Sequence, residues 1–233
     1  MLQVLDTGFD TASGNMLLDA KLLENLKIDS DPILHLYQWS RPSATFGHFI
    51  QPEKYLNLEA CGQENLDMAR RSTGGGITFH IWDLAFSFLM PASHPKFSEN
   101  TLANYHFVNS VVIEVVKDYF NESAALISES EQAKGPDCQN FCMARPTQYD
   151  VVYQGRKVAG AAQRRKKQGY LHQGTIALAR PDFSFLKKVL LNTEDVLTAM
   201  MDYSFAPLET IEAQTRTDVQ QLLAAKFHKA IEG

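Results

Sequence analysis

The stretch Arg70-Arg71-Ser72-Thr73-Gly74-Gly75-Gly76, with His80 four residues on, sets two fixed positive charges beside a turn that has no Cβ atoms. Three consecutive glycines let a ligand lie against backbone amides, and the arginines favour an anionic one. A flexible surface loop has a similar composition. The strand-like residues on both sides, the paired arginines and the histidine tip the reading toward a binding site. Neither GxxxxGK[ST] nor GxGxxG spacing is present, so a P-loop and a dinucleotide fingerprint are both excluded.

A second candidate is Lys157, followed by Val158 and the small residues Ala159, Gly160, Ala161 and Ala162. A lysine beside open backbone can contact a phosphate, or a carbonyl oxygen that gains charge during acyl transfer. The plainer alternative is a solvated hairpin lysine that contributes little to the core. Residues 151–170 hold six of the chain's 22 Lys and Arg and no acidic residue, a local excess that draws anions. Within it, Arg164–Lys167 read individually as a solvated face. Leu171-His172-Gln173-Gly174-Thr175 adds an imidazole and a hydroxyl next to a glycine, although a lone histidine is more often structural than catalytic. Cys142, taken by itself, reads as a small, inert, half-buried thiol. No HExxH or CxxC spacing points to zinc.

These residues sit in a chain of 233 residues that is 45% hydrophobic and 21% charged, enough for one large globular domain with a substantial core. Its net charge of −5 weighs against nucleic acid as a partner. No apolar run reaches the ~18 residues of a membrane span, and the first twenty residues lack a signal-peptide pattern, so no membrane association and a cytoplasmic location are expected. Cys61, Cys138 and Cys142 suit a reducing compartment better than a disulfide framework.

Strands are expected at Leu34–Trp39, Ala44–Phe49, Leu66–Arg70, Ile77–His80, Leu84–Met90, Tyr149–Tyr153, Lys157–Arg164 and Leu171–Ala179. Gln154-Gly155 is the turn that sets Lys157 just past a hairpin. A helix should begin near Thr11 to Ser13, with Leu17, Leu18, Leu22, Leu23 and Leu26 on its inner face. A second, between Glu99 and Phe120, carries Leu102, Tyr105, Val108, Val112, Val115, Val116 and Tyr119 as a stripe. Phe183–Leu191 and Asp218–Ile231 complete the helices. The result is an α+β class: a mostly antiparallel sheet of local neighbours flanked by helices, in a single unit over residues 1–233 with a helical tail from about 205.

Taken together, the Arg70–Gly76 turn with His80, the Arg156–Gln163 segment and His172-Gln173-Gly174-Thr175 resemble the three signature segments of the lipoate-protein ligase A and octanoyltransferase family. The order is the same, and Trp39-Ser40 with Thr45-Phe46-Gly47 is similar to that family's early strand pair. The resemblance implies the catalytic fold shared with biotin protein ligases and class II aminoacyl-tRNA synthetases. It implies a lipoate-protein ligase that activates lipoate or octanoate with ATP and Mg2+ to an acyl-adenylate and passes the acyl group to a lysine of a lipoyl domain. Those domains would belong to 2-oxoacid dehydrogenase E2 subunits or the glycine cleavage H protein.

In that reading Lys157 is the catalytic residue and Asp150 the magnesium-associated acid. Arg70, Arg71, Thr73, Gly74, Gly75, Gly76, His80, Gly160, Ala162, His172, Gly174 and Thr175 bind the acyl group and adenylate. The family's histidine is commonly followed by Asp, whereas here Ile81-Trp82-Asp83 follows. The chain also lacks the accessory domain that many bacterial ligases carry, so a separate accessory protein is an expected partner. Cys142-Met143-Ala144-Arg145-Pro146-Thr147-Gln148-Tyr149 resembles instead the loop of octanoyltransferases that form an acyl-thioester, which makes an ATP-independent transferase the near alternative. A protein that binds lipoyl groups or lipoyl domains without turnover is the third.

Overall fold

The computed structural model describes residues 1–120, 124–127, 140–144, 147–148 and 150–233, so Cys138, Arg145, Pro146 and Tyr149 lie outside it. In chain order the elements are β1 (Gln3–Asp10), α1 (Ala12–Asn25), β2 (Ile33–Trp39), β3 (Ser43–Phe46), α2 (Leu58–Gln63), β4 (Asp67–Arg70), β5 (Ile77–His80), β6 (Asp83–Pro91) and α3 (Thr101–Phe120). They continue as β7 (Ala125–Leu126), β8 (Val151–Tyr153), β9 (Arg156–Lys166), β10 (Gly169–Ala177), α4 (Phe183–Val189), α5 (Thr193–Tyr203) and α6 (Ala213–Glu232).

Seven strands form the main sheet in the order β1-β2-β6-β10-β9-β8-β7, and β4-β3-β5 form a small second sheet. Pairing is antiparallel except for β1 with β2 and β3 with β4. This is the α+β architecture expected, with one difference: β6 lies between β2 and β10, so its pairings join distant parts of the chain. Strand β1 escapes sequence reading because it is an edge strand with no buried residue and hence no alternation.

Alternation along β6 assigns the two faces of the main sheet. Leu84, Phe86 and Phe88 point toward α3 and α6 and form the large core with Val108, Val112, Val115, Leu223 and Phe227. The rings of Phe88 and Phe227 stack with centroids 4.6 Å apart, so α6 belongs to the core and is no loose tail. On the other face Ala85 and Ser87 point toward α1, capped by Thr11, whose side chain accepts from the Gly14 amide.

The inner face of α1 departs from the leucine stripe. Its buried residues are Ala12, Asn15, Met16, Asp19 and Leu23, while Leu17 is 55% exposed. Asn15 and Asp19 are buried against polar groups of the sheet, while Leu23 and Leu26 of the stripe are buried in an apolar cluster with Leu89 and Leu171. Among the described residues no helix is long and apolar enough to cross a membrane.

Candidate functional site

The position of Lys157 depends on an irregularity in β9. Val151 pairs with Ala159 and Val152 with Lys157, so one step along β8 spans two along β9, and Val158 is the extra residue of a bulge. Val158 and the next residue, Ala159, both enter the large core. Lys157 and Gly160 are thereby left together on the opposite face. A Cβ on Gly160 would lie 2.5 Å from Lys157 Nζ, so the glycine leaves the space that the lysine side chain fills.

Lys157 is not a solvated hairpin lysine. It is 4% exposed, and its ammonium meets Asp150 Oδ2 at 2.8 Å and donates to the Cys142 carbonyl at 2.8 Å. Asp150 Oδ2 also accepts from the Thr147 amide at 2.7 Å and its hydroxyl at 2.8 Å. Asp150 is therefore the counter-ion of Lys157. No group of three His, Cys, Asp or Glu gathers among the described residues as a metal site.

Arg71 organises the glycine turn from within. Buried to 6% exposure, it donates through one nitrogen to the Thr45 carbonyl and hydroxyl, and through the other to the carbonyls of Gly74 and Gly76. Gly75 adopts φ +84°, and a Cβ there would lie 3.7 Å from Cys142 Sγ. The cysteine opens a short 3-10 turn whose approach is laid against Gly76, and Phe141 bridges to Ile77.

Burial pushes the Cys142 thiol up. The Arg71 guanidinium, the Lys157 ammonium, the Thr78 hydroxyl and the Gly76 amide together outweigh burial and leave it below its ordinary value. Alkylation of Cys142 by iodoacetamide, read by site-resolved mass, is therefore expected to plateau at lower pH than for an ordinary thiol. An ordinary midpoint would refute the assigned influence of the two cations.

Around the cysteine a cavity is lined by Met16, Tyr37, Ala85, Gly160, Ala162 and Gln173, with Arg71, His80, Lys157, Gly174 and Thr175 also on its wall. Two buried polar chains brace it. In one, Asp19 meets His35 Nδ1 at 2.8 Å and accepts from Ser87 Oγ and from Gln173 Nε2, both at 2.6 Å. Gln173 in turn accepts from Thr73 Oγ1 at 2.7 Å. In the other, Thr45 Oγ1 lies 2.7 Å from His80 Nε2, and His80 Nδ1 lies 2.7 Å from Asp83 Oδ2, which also accepts from Thr175. The acid absent immediately after His80 is thus supplied three residues later, by the tight turn between β5 and β6.

Two expected site residues stand elsewhere. Arg70 is exposed, stacks over Phe46 at 4.8 Å and donates to the carbonyls of Gly47, His48 and Ile50, so it clasps a loop and does not face the cavity. His172 lies on the other face of β10 among Phe86 and Tyr105, with Gln163 on its Nδ1 at 2.8 Å. Burial pushes His172 down to about 3, so it is neutral. Arg164, Arg165 and Lys166 are occupied by the Ser72 carbonyl, Glu99 and Glu24.

Residues 11–227 match the family described as lipoyl protein ligase A/B catalytic domain. An octanoyltransferase LipM from Geobacillus kaustophilus is 30% identical over 179 residues, which cover 75% of this chain and 64% of the relative. The matched stretch therefore spans less than two thirds of the curated relatives' length. In structure, a putative lipoate protein ligase from T. acidophilum with bound lipoic acid aligns at a TM-score of 0.75 and 20% identity, covering 100% of this chain and 86% of that one. A biotin protein ligase from Aquifex aeolicus with biotin and ATP gives 0.51 and 16%, covering 99% and 70%.

Proposed function

The chain belongs to the lipoyl protein ligase A/B catalytic-domain family, and from that premise we propose that it is an octanoyl or lipoyl transferase that carries the acyl group as a thioester on Cys142. The observation that carries the reading is the thiol's setting: Cys142 lies in the cavity between Arg71 and Lys157, and these cations lower its pKa despite burial. A thiolate so held attacks the carbonyl carbon of an acyl thioester donor and expels the donor's thiolate. The Lys157 ammonium and the Arg71 guanidinium supply fixed positive charge where the oxyanion develops. The acyl chain extends between Met16, Tyr37, Ala85 and Ala162.

The name of the matched relative, an octanoyltransferase, supports the same order of preference. This reverses the ranking drawn from sequence, in which an ATP-dependent ligase led. That reading drew on Asp150 as a metal-associated acid, and Asp150 is engaged by Lys157 and Thr147. In both readings the acceptor is a lysine of a lipoyl domain, of the E2 or H-protein kind.

The deciding experiment supplies octanoyl-carrier protein without ATP in one arm, and free octanoate or lipoate with ATP and Mg2+ in the other. Intact mass is read on both enzyme and lipoyl domain. Transfer in the first arm, with a hydroxylamine-sensitive adduct on the enzyme, is expected. Transfer in the second arm alone, with no adduct on Cys142, would overturn the thioester reading in favour of the adenylate.

A further inference from the structure

A second cavity abuts the cysteine pocket. Thr78 and Thr175 line both, and Phe141 and Met143, the chain neighbours of Cys142, line the second one. Its wall is otherwise apolar apart from Asp83 and Ser204, with Ile77, Phe79 and Ala177 among the contributors. Asp83 is 6% exposed and its Oδ2 is held by His80 and Thr175, but its Oδ1 is buried with no hydrogen-bond partner among the described residues. A buried carboxylate oxygen without a donor costs free energy, and such a group calls for an explanation beyond packing.

A ligand that satisfies this site has an apolar stem and a terminal cationic donor. A lysine side chain has that chemistry: four methylenes to lie along the apolar wall and an ammonium to meet Oδ1. Resting on the thioester reading above, we infer that this second cavity admits the acceptor lysine and that Asp83 is the base that deprotonates it.

The ammonium gives one proton to Asp83 Oδ1 while His80 and Thr175 stay on Oδ2. The freed lone pair attacks the thioester carbonyl carbon. A C–N bond forms, the C–S bond breaks, and the nitrogen's second proton leaves with sulfur as the Cys142 thiol. The third hydrogen remains on the amide, and Asp83 then releases its proton to solvent. Because Oδ1 is shielded from bulk water, the arriving amine must displace part of the wall. Met143 and Met200, unbranched and adaptable, are the side chains best able to yield.

The test uses the isolated acyl-Cys142 enzyme, deacylated at neutral pH either by Nα-acetyl-lysine amide or by hydroxylamine. The lysine amine arrives charged and needs a base; hydroxylamine arrives uncharged and does not. With Asp83→Asn the lysine-amide rate is expected to fall about a hundredfold or more, the usual scale of general-base catalysis, while hydroxylamine cleavage changes by less than about threefold. A parent-like lysine-amide rate overturns the inference. Equal losses for both nucleophiles overturn it too, because they mark a structural role for Asp83. If no thioester forms on the parent enzyme, the proposed function fails first and this inference falls with it. Should Asp83→Asn resist acylation altogether, Ala177→Phe, which fills the second cavity, decides. A lysine-amide rate unchanged in that variant overturns the placement, and a drop of about tenfold or more supports it.

Discussion

Cys142→Ser is expected to lower transfer to a lipoyl domain from a thioester donor by about a thousandfold or more, with the fold unchanged. Sulfur and oxygen occupy similar space there, and the contacts to Cys142 other than its thiol run through its backbone: the carbonyl accepts from Lys157. What is lost is ionisation. Arg71 and Lys157 lower the pKa of the thiol and so favour its thiolate, whereas the same cations acting on an alcohol leave it protonated and a weak nucleophile. Mass analysis of the enzyme after incubation with donor, together with the transfer rate, checks this. Retention of more than about a tenth of the parent rate would remove Cys142 from the reaction.

Removing the lysine is expected to damage both rate and stability. Lys157→Ala strands Asp150, 3% exposed, with the Thr147 amide and hydroxyl still donating to it but no cation against it among the described residues. Breaking a buried ion pair from one side costs about 3–5 kcal/mol. For a chain of this size each kcal/mol lowers Tm by roughly 2–4 °C, so a drop of about 6–20 °C is the expected result. Asp150→Leu combined with Lys157→Met should recover most of that loss while the transfer rate stays down by about a hundredfold. Recovery of activity along with stability would show that Lys157 acts only as a structural partner. A parent-like Tm in Lys157→Ala would refute the burial argument.

The plainer reading from sequence, a solvated hairpin lysine that contributes little to the core, fails for a physical reason. Strand parity places a residue on one face or the other, and a bulge reverses it without leaving a mark in composition. His172 shows the same blind spot: it is a neighbour in sequence of Gln173 and Thr175, yet the pleat sends it to the opposite face. The glycine turn, Lys157 and Cys142 were legible because unusual residue types cluster there. Asp19 and Gln173 were not, since each is an ordinary polar residue until two segments 154 positions apart are brought within 2.6 Å. Asp83 was hidden for a smaller reason. Only the turn at Ile81-Trp82 reveals that an acid three residues on can serve His80.

For the fold, α3 was readable because Val108, Val112, Val115 and Val116 repeat at helical spacing and all are buried. The inner face of α1 was legible in part: Leu23 and Leu26 of the stripe are buried, whereas Leu17 is exposed and Asp19 is buried against His35 and Ser87 of the sheet. The strand β1 and the helix α5 (Thr193–Tyr203) gain their identity from neighbours more than from their own pattern.

The extra residue at Val158 makes the chemistry of β9 a matter of counting. Pairing the strand as a regular pleat with Val158 kept would carry the ammonium over to the phenylalanines and present an aliphatic side chain to the thiol. Every residue type named in the site would still be present. The strand therefore carries its catalytic information in one extra residue, and sequences of this kind are to be aligned with any gap placed at Val158, because a gap placed between Lys157 and Gly160 at any other position would assign the wrong residues to the two faces.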